Sequence, residues 1–222
     1  METYRTEEEQ VEALKRWWQE NGRSTVIGVV LALGLGFGWQ AWQKSRDLAA
    51  ENASTLYQQM LTALSAEDTQ GAAPATELAR RIKDEHQGST YAQFAALHLA
   101  RLAVNDERLD DAEAELRWAL ARSSPGEDLN SIAQLRLARV VAAGGSLEPA
   151  LEMLVTDDGA YTAAYAMARG DILAMAGRNA EALEAFEAAA AALDPKLPLP
   201  PTLRDKLEFL RALQGRSAPG AG

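Results

Sequence analysis

Cysteine is absent from all 222 residues. That removes a disulfide framework, a lipid-modified thiol and thiolate chemistry together. Histidine is scarce: His86 and His98 are the only two, and they fall on different predicted helices. His86 sits at a helix C-terminus, where the dipole favours a cation; His98 falls mid-helix, where packing or simple exposure accounts for it. No HExxH, P-loop or GxSxG signature occurs. Asp157-Asp158-Gly159 lacks further carboxylates at EF-hand spacing and reads as a helix start. Acidic pairs such as Glu113/Glu115 and Glu184/Glu187 read as solvated faces. Neither an enzyme nor a bound cofactor or metal is expected.

Positive charge is in deficit, with 22 Lys and Arg against 32 Asp and Glu, a formal net of −10. No basic stripe offsets it, so nucleic acid is not an expected partner. No segment alternates with period two and β-branched residues are few, so no strands are expected. Long Ala-, Leu-, Glu- and Arg-rich segments point to an all-α chain.

What the sequence does contain is one charge-free run of twenty residues, Ser24 to Gln43, closed by Arg23 on one side and by Lys44 and Arg46 on the other. Its centre, Thr25 to Trp42, would rise about 27 Å as a helix, close to the hydrocarbon thickness of a bilayer. Trp17 and Trp18 precede it and Trp39 and Trp42 end it, four of the five tryptophans, as in the aromatic belts of spanning helices. The membrane itself is thus an expected contact. A cleaved signal peptide is the rival, with Gly36-Phe37-Gly38 as a small-x-small site. Against it, the 23 preceding residues carry six acidic beside four basic side chains, unlike a short positive n-region. Gly28, Ala32 and Gly36 fall four apart and Gly34 with Gly38 forms a GxxxG, a helix-packing surface if these glycines are more than the usual membrane-helix complement.

Before the span, Val11, Leu14, Trp17 and Trp18 recur at helical spacing and Asn21-Gly22 reads as a stop. This predicts a short amphipathic helix on the membrane surface or against a partner. Lys15, Arg16 and Arg23 outnumber Lys44 and Arg46, which places the N-terminus inside by a margin of one charge. The expected organisation is a cytoplasmic segment at 1–23, a transmembrane helix at 24–43, a periplasmic helical domain at 44–214 and a disordered tail at 215–222.

After the span a helix continues from Arg46 to Ala66, and a soft linker follows from Glu67 to Ala73. Helices are then expected at 74–86, 89–104, 107–121, 128–143, 146–155, 160–176, 179–192 and 202–214, separated by Gly, Asn, Asp, Ser and Pro clusters. They pair and repeat. Ala112, Ala150 and Ala182 lie 38 and 32 residues apart. Each precedes a large residue by four (Leu116, Leu154, Phe186) and follows a small one by twelve (Ala100, Ala138, Gly170). Gly145 and Gly177 stand five residues before the second and third alanines. The small–small–large pattern near a 34-residue period resembles the tetratricopeptide repeat, although the motif tryptophan and tyrosine are missing and Pro149 and Asp157 disturb the middle copy. Generic Ala-rich amphipathic helices are the plain alternative.

In a tetratricopeptide stack the first helix of each pair lines the concave face. The alanine register then puts Phe94, Leu97 and Arg101 there in one repeat, Ile132, Leu135 and Arg139 in the next, and Ala164, Met167 and Asp171 in the third. An apolar floor with two equivalent arginines would suit an extended segment carrying a carboxylate. The alternative is that Arg101 and Arg139 pair with neighbours such as Asp106 or Glu107.

The N-terminal block EEEQVEALKRWWQENGRS, the glycine-rich span, GWQAWQ and the closing PLPPTLRDKLEFLRAL together resemble the YfgM-like ancillary subunits of the bacterial Sec translocon. That resemblance implies a single-pass inner-membrane protein whose repeat domain lies in the periplasm. It implies association with SecYEG and with a PpiD-type periplasmic chaperone, contact with exported clients, and no catalytic residues. Two roles remain side by side: a scaffold linking the translocon to chaperones, or an anchored regulatory adaptor for envelope stress signalling or assembly.

Overall fold

The computed structural model describes residues 7–65, 72–154 and 159–217, and every regular element among them is helical. In chain order these are α1 (Glu7–Ser65), α2 (Ala72–Glu85), α3 (Thr90–Asn105), α4 (Leu109–Leu120), α5 (Asp128–Ala143), α6 (Leu147–Met153), α7 (Thr162–Met175), α8 (Asn179–Ala191) and α9 (Pro201–Ser217). The expected boundaries of α2 to α8 hold to within two residues. Helix α9 runs three residues beyond the expected 214; residues 218–222 lie outside the described residues, as do 66–71 of the expected linker. Asp157 and Asp158, expected to start a helix, also lie outside them, and α7 begins at Thr162.

Local chemistry sets these ends. The Ser89 hydroxyl accepts the Ala92 N–H and caps α3. Asp110 and Asp111 occupy the first turn of α4, where the dipole favours negative charge. Pro149 falls in the first turn of α6, whose N–H groups have no intrahelical partner, so the helix tolerates it. Pro201 opens α9, and the Pro200 carbonyl accepts from Leu203 and Arg204.

Two compact units divide the chain, Met1–Asn52 and Ala53–Gly222. In the first, α1 passes through Asn21-Gly22 without a break, so the expected separate surface helix does not exist. The side chains here reinforce the helix. Asn21 Nδ2 donates to the Trp17 carbonyl at 3.2 Å, and the Ser24 and Thr25 hydroxyls both donate to the Asn21 carbonyl at 2.9 Å. Gly22 lies under the Trp18 indole, and a Cβ there would stand 3.2 Å from the ring. Among the described residues α1 alone is long and apolar enough to cross a membrane. Nothing within its unit covers Leu31, Leu35 or Phe37, which are 61%, 75% and 68% exposed. A bare apolar surface of this kind is stable in lipid and not in water.

In the second unit, residues 53–65 of α1 share a buried cluster with α2 and α3 (Leu56, Met60, Ala79, Ile82, Leu99). A larger cluster runs from α3 through α9. Helices α3/α4, α5/α6 and α7/α8 form successive pairs, and α9 closes the stack on α8. Ala112, Ala150 and Ala182 are fully buried, and Leu116, Leu154 and Phe186 beside them nearly so. Helix α7 crosses α8 so closely that a Cβ on Gly170 would lie 2.6 Å from the Phe186 ring. Between the first and second helix of each pair the chain makes the same turn. Arg108, Ser146 and Arg178 donate to the carbonyls of Ala103, Val141 and Leu173, five residues back. The residue before each donor takes positive φ: Gly145 at +91°, Gly177 at +73° and, in the first copy, Glu107 at +60°.

Across pairs, Lys83 of α2 grips both carboxylate oxygens of Glu115 on α4 at 2.6 and 2.7 Å. Trp118 lies beneath two cations, Lys83 and Arg122, at 5.0 and 4.0 Å from its centroid. Glu115 is therefore not the solvated residue expected from the sequence, since its side chain is only 22% exposed.

Two variants test the helix crossing. Gly170→Ala gains about 1 kcal/mol of helix propensity, yet its methyl must displace a fully packed Phe186 ring, which costs about 1–3 kcal/mol. A net loss of stability is expected, and a larger one for Ala182→Leu; unchanged urea midpoints for both would mean the crossing is elsewhere. At the turn, Glu107→Gly relieves a left-handed side-chain conformation and should stabilise by about 0.5–1 kcal/mol after the entropic cost of glycine. Thermal melts of this variant should rise; a fall would show that Glu107 is held there by interactions worth more than the strain.

Candidate partner-binding groove

Helix α3 packs on α5 and α5 on α7, and the Tyr165 hydroxyl of α7 donates to the Ser131 carbonyl of α5 at 3.0 Å. Among the described residues no comparable packing joins α4 to α6 or α6 to α8. The first helices of the pairs are drawn together and the second helices splay, so the stack curves with α3, α5 and α7 on its inner side.

Charge divides the same way. Helices α3, α5 and α7 carry Arg101, Arg136, Arg139 and Arg169 against only Asp128 and Asp171. Helices α4, α6 and α8 carry nine carboxylates against Arg117 alone. The inner layer of a strongly acidic chain is therefore cationic.

The structure places the sequence-predicted groove residues unequally. Phe94, Arg101 and Arg139 are exposed, and Ile132, Ala164 and Met167 are half-buried. Leu97 and Leu135 have sunk into the core at 7% and 8% exposure, so they support the floor from beneath instead of forming it. Asp171 is engaged by Lys206 of α9, and the Lys206 ammonium also sits over the Phe186 ring at 5.3 Å. Arg101 and Arg139 make no ion pair among the described residues, and Asp106 bonds Arg108 instead. On the spanning part of α1, an added Cβ at Gly28, Gly34, Gly36 or Gly38 would meet nothing within 4 Å. Ala32 is equally exposed.

Four groove residues escaped the sequence reading. Tyr57 of α1 stacks with Tyr91 at 5.4 Å, Phe94 at 5.9 Å and His98 at 6.2 Å between centroids. Arg101 of α3 and Arg136 of α5 lie near enough to act electrostatically on His98. A signal for part of this was present. Tyr57 precedes Phe94 by 37 residues, and Ala75 precedes Ala112 by the same interval and is likewise buried. The repeat register thus extends one pair further towards the N-terminus, where Ala79 stands in place of the large residue and hides the motif.

Burial, followed by the nearby Arg101 and Arg136, pushes the His98 pKa below its ordinary value. Burial, with Tyr91 adding to it, raises that of Tyr57. A second concavity of about 510 Å³ lies among α6, α7 and α8, floored by Leu154, Tyr165 and Leu173 and rimmed by Arg169, Glu181 and Glu184. The Arg178 guanidinium bonds Glu181 there and lowers its pKa. Among the described residues no three His, Asp or Glu side chains are placed to hold a metal.

Stacked helix pairs with an open inner face and small residues at each crossing define an α-solenoid of tetratricopeptide type, a class built for binding other proteins. The family model for the tetratricopeptide repeat-like domain matches residues 15–212. The chain is 36% identical over 189 residues to the ancillary SecYEG translocon subunit of Escherichia coli (strain K12), covering 85% of this chain and 89% of that one. It is 34% identical to the ancillary SecYEG translocon subunit of Aggregatibacter actinomycetemcomitans over 86% of this chain and 93% of that one. For the protein of that name from Haemophilus influenzae (strain ATCC 51907 / DSM 11121 / KW20 / Rd) the figures are 33%, 82% and 88%. No solved structure matches. The chain belongs to the tetratricopeptide repeat-like family that contains these ancillary subunits.

His98 gives the groove a pH signature. The unfolded chain takes up a proton near pH 6.5, whereas the folded chain resists it, so stability falls as the pH drops through that value. Between about pH 8 and pH 5.5, His98→Asn should lose less stability than the wild type. Parallel urea-midpoint profiles for the two proteins would remove His98 from this role.

Proposed function

We propose that this protein is a non-catalytic, membrane-anchored scaffold of the Sec translocon. The observation that carries the reading is the extent of the likeness: both the apolar helix and the repeat domain fall within residues 15–212 that the family model matches, and 85% of the chain aligns with the Escherichia coli ancillary subunit. On this reading the span of α1 crosses the inner membrane uncleaved, with the N-terminus cytoplasmic and the repeat domain periplasmic. The small residues Gly28, Ala32 and Gly36 offer one face, and Gly34 with Gly38 another, on which a membrane helix packs closely, and SecYEG supplies such helices. The inner groove, with Phe94, Arg101, Ile132, Arg139 and Met167 accessible and Leu97 and Leu135 beneath, takes a PpiD-type periplasmic chaperone or an exported client. Asp171 acts there through Lys206, fixing the closing helix.

Purification of the tagged full-length chain from membranes in mild detergent tests the reading. SecY, SecE and SecG are expected in stoichiometric yield, with a membrane-anchored chaperone alongside. Protease added to intact spheroplasts should digest the repeat domain and spare residues 1–23. Absence of SecYEG from the eluate, or a repeat domain protected until lysis, would overturn it; co-purification of a signalling protein instead would favour a regulatory adaptor.

A further inference from the structure

We infer that the inner groove is selective for an extended acidic segment carrying an aromatic side chain, which stacks on Tyr57, Tyr91 and Phe94 while its carboxylates engage Arg101, Arg136 and Arg139. This rests on the scaffold reading and gives the partner's contact segment a chemistry. The first observation is charge complementarity. Helix α3 holds no carboxylate, and α5 holds only Asp128, in its first turn. The three guanidiniums are exposed and have no ion-pair partner among the described residues. Elsewhere in the same unit basic side chains are repeatedly paired: Arg81 with Glu85, Lys83 with Glu115, Arg117 with Glu113, Arg178 with Glu181, Arg211 with Glu187. Carboxylates are abundant, yet α4, α6 and α8 carry nine of them whereas α3 and α5 together carry only Asp128. A positively charged concavity in a chain of net −10 attracts an acidic partner locally while the rest of the surface repels it.

The second observation is the ring cluster. Core closure alone would bury these aromatics, but Phe94 is 37% exposed and Tyr57, Tyr91 and His98 are only half-buried. An open aromatic ledge beside guanidiniums favours an incoming ring, through offset stacking and cation–π contact. Along α3 and α5 the arginines follow the ledge at helical intervals (Phe94, His98, Arg101; Ile132, Arg136, Arg139), which spaces the two kinds of contact along one track. Arg117 lies on α4, in the outer layer, and serves as a control.

The test uses the full chain in nanodiscs of zwitterionic lipid and a fluorescein-labelled peptide repeating Asp-Trp-Glu. Its comparators are the amide form repeating Asn-Trp-Gln and the ring-free form repeating Asp-Ala-Glu. Anisotropy should show the first peptide binding about tenfold more tightly than either comparator. It should also weaken steeply with salt over the range in which the Debye length shrinks. The exposed pair Arg101→Gln/Arg136→Gln, checked for an unchanged melt, should lose about tenfold in affinity and most of the salt dependence; Phe94→Ala should lose the preference for the ring; Arg117→Gln should bind as wild type. Equal binding of all three peptides, or full binding by the double variant, overturns the inference. So does finding that the double variant's main defect is in self-association by sedimentation, or in binding phosphatidylglycerol vesicles. If SecYEG co-purifies with the wild type while the peptides are not distinguished, only this inference falls. If the peptides are distinguished and SecYEG is absent, the scaffold reading falls and the groove's chemistry stands.

Discussion

Close approach of two helix axes within each pair is the constraint on which the domain depends. Helices that meet over Ala112, Ala150 or Ala182 have no side-chain bulk at the contact, so a single large neighbour must fill the groove. Phe186 does this against Gly170, whose missing Cβ is what admits the ring. Dispersion contacts at such a crossing are numerous and individually weak, and they vanish when the surfaces part by a fraction of an ångström. Small residues therefore act by position: each alanine matters because of where the register puts it. The left-handed turn between the helices sets that register, and its cost in the first copy, where Glu107 replaces glycine, shows how strictly the geometry is kept.

Fixing the crossings also fixes which helices lie inside. Once α3, α5 and α7 pack on one another, their outward surface is a single strip, and the exposed Arg101, Arg136 and Arg139 are delivered to it. The strip is cationic because α3, α5 and α7 carry four arginines against Asp128 and Asp171 alone, while nine carboxylates sit on α4, α6 and α8. Membrane anchoring adds a separate constraint. The exposed apolar length of α1 has no cover within its own unit, so lipid or another membrane helix supplies it.

Much of this was legible in the sequence by itself. The apolar run and its tryptophan brackets define the spanning helix, because a bilayer imposes a length that few soluble helices match. Helix content and the boundaries of α2 to α8 follow from periodicity and from glycine, proline and Ser/Asp punctuation. The small–small–large spacing located the crossings at Ala112, Ala150 and Ala182, since that pattern expresses the contact directly. Local signals failed at Asn21-Gly22, where side-chain hydrogen bonds and the Trp18 ring carry the helix through a nominal stop.

Only the tertiary structure decided the groove. Leu97 and Leu135 belong to the core and Asp171 to the closing ion pair, because burial depends on how sharply the stack curves, which no single helix encodes. Tyr57, Tyr91 and His98 meet because α1 ends beside α3, a contact between segments more than thirty residues apart. Arg136 comes near enough to act on His98 electrostatically because α5 packs on α3. A sequence lists its charges along a line; whether they oppose, neutralise or align depends on distances that exist only once the helices have packed.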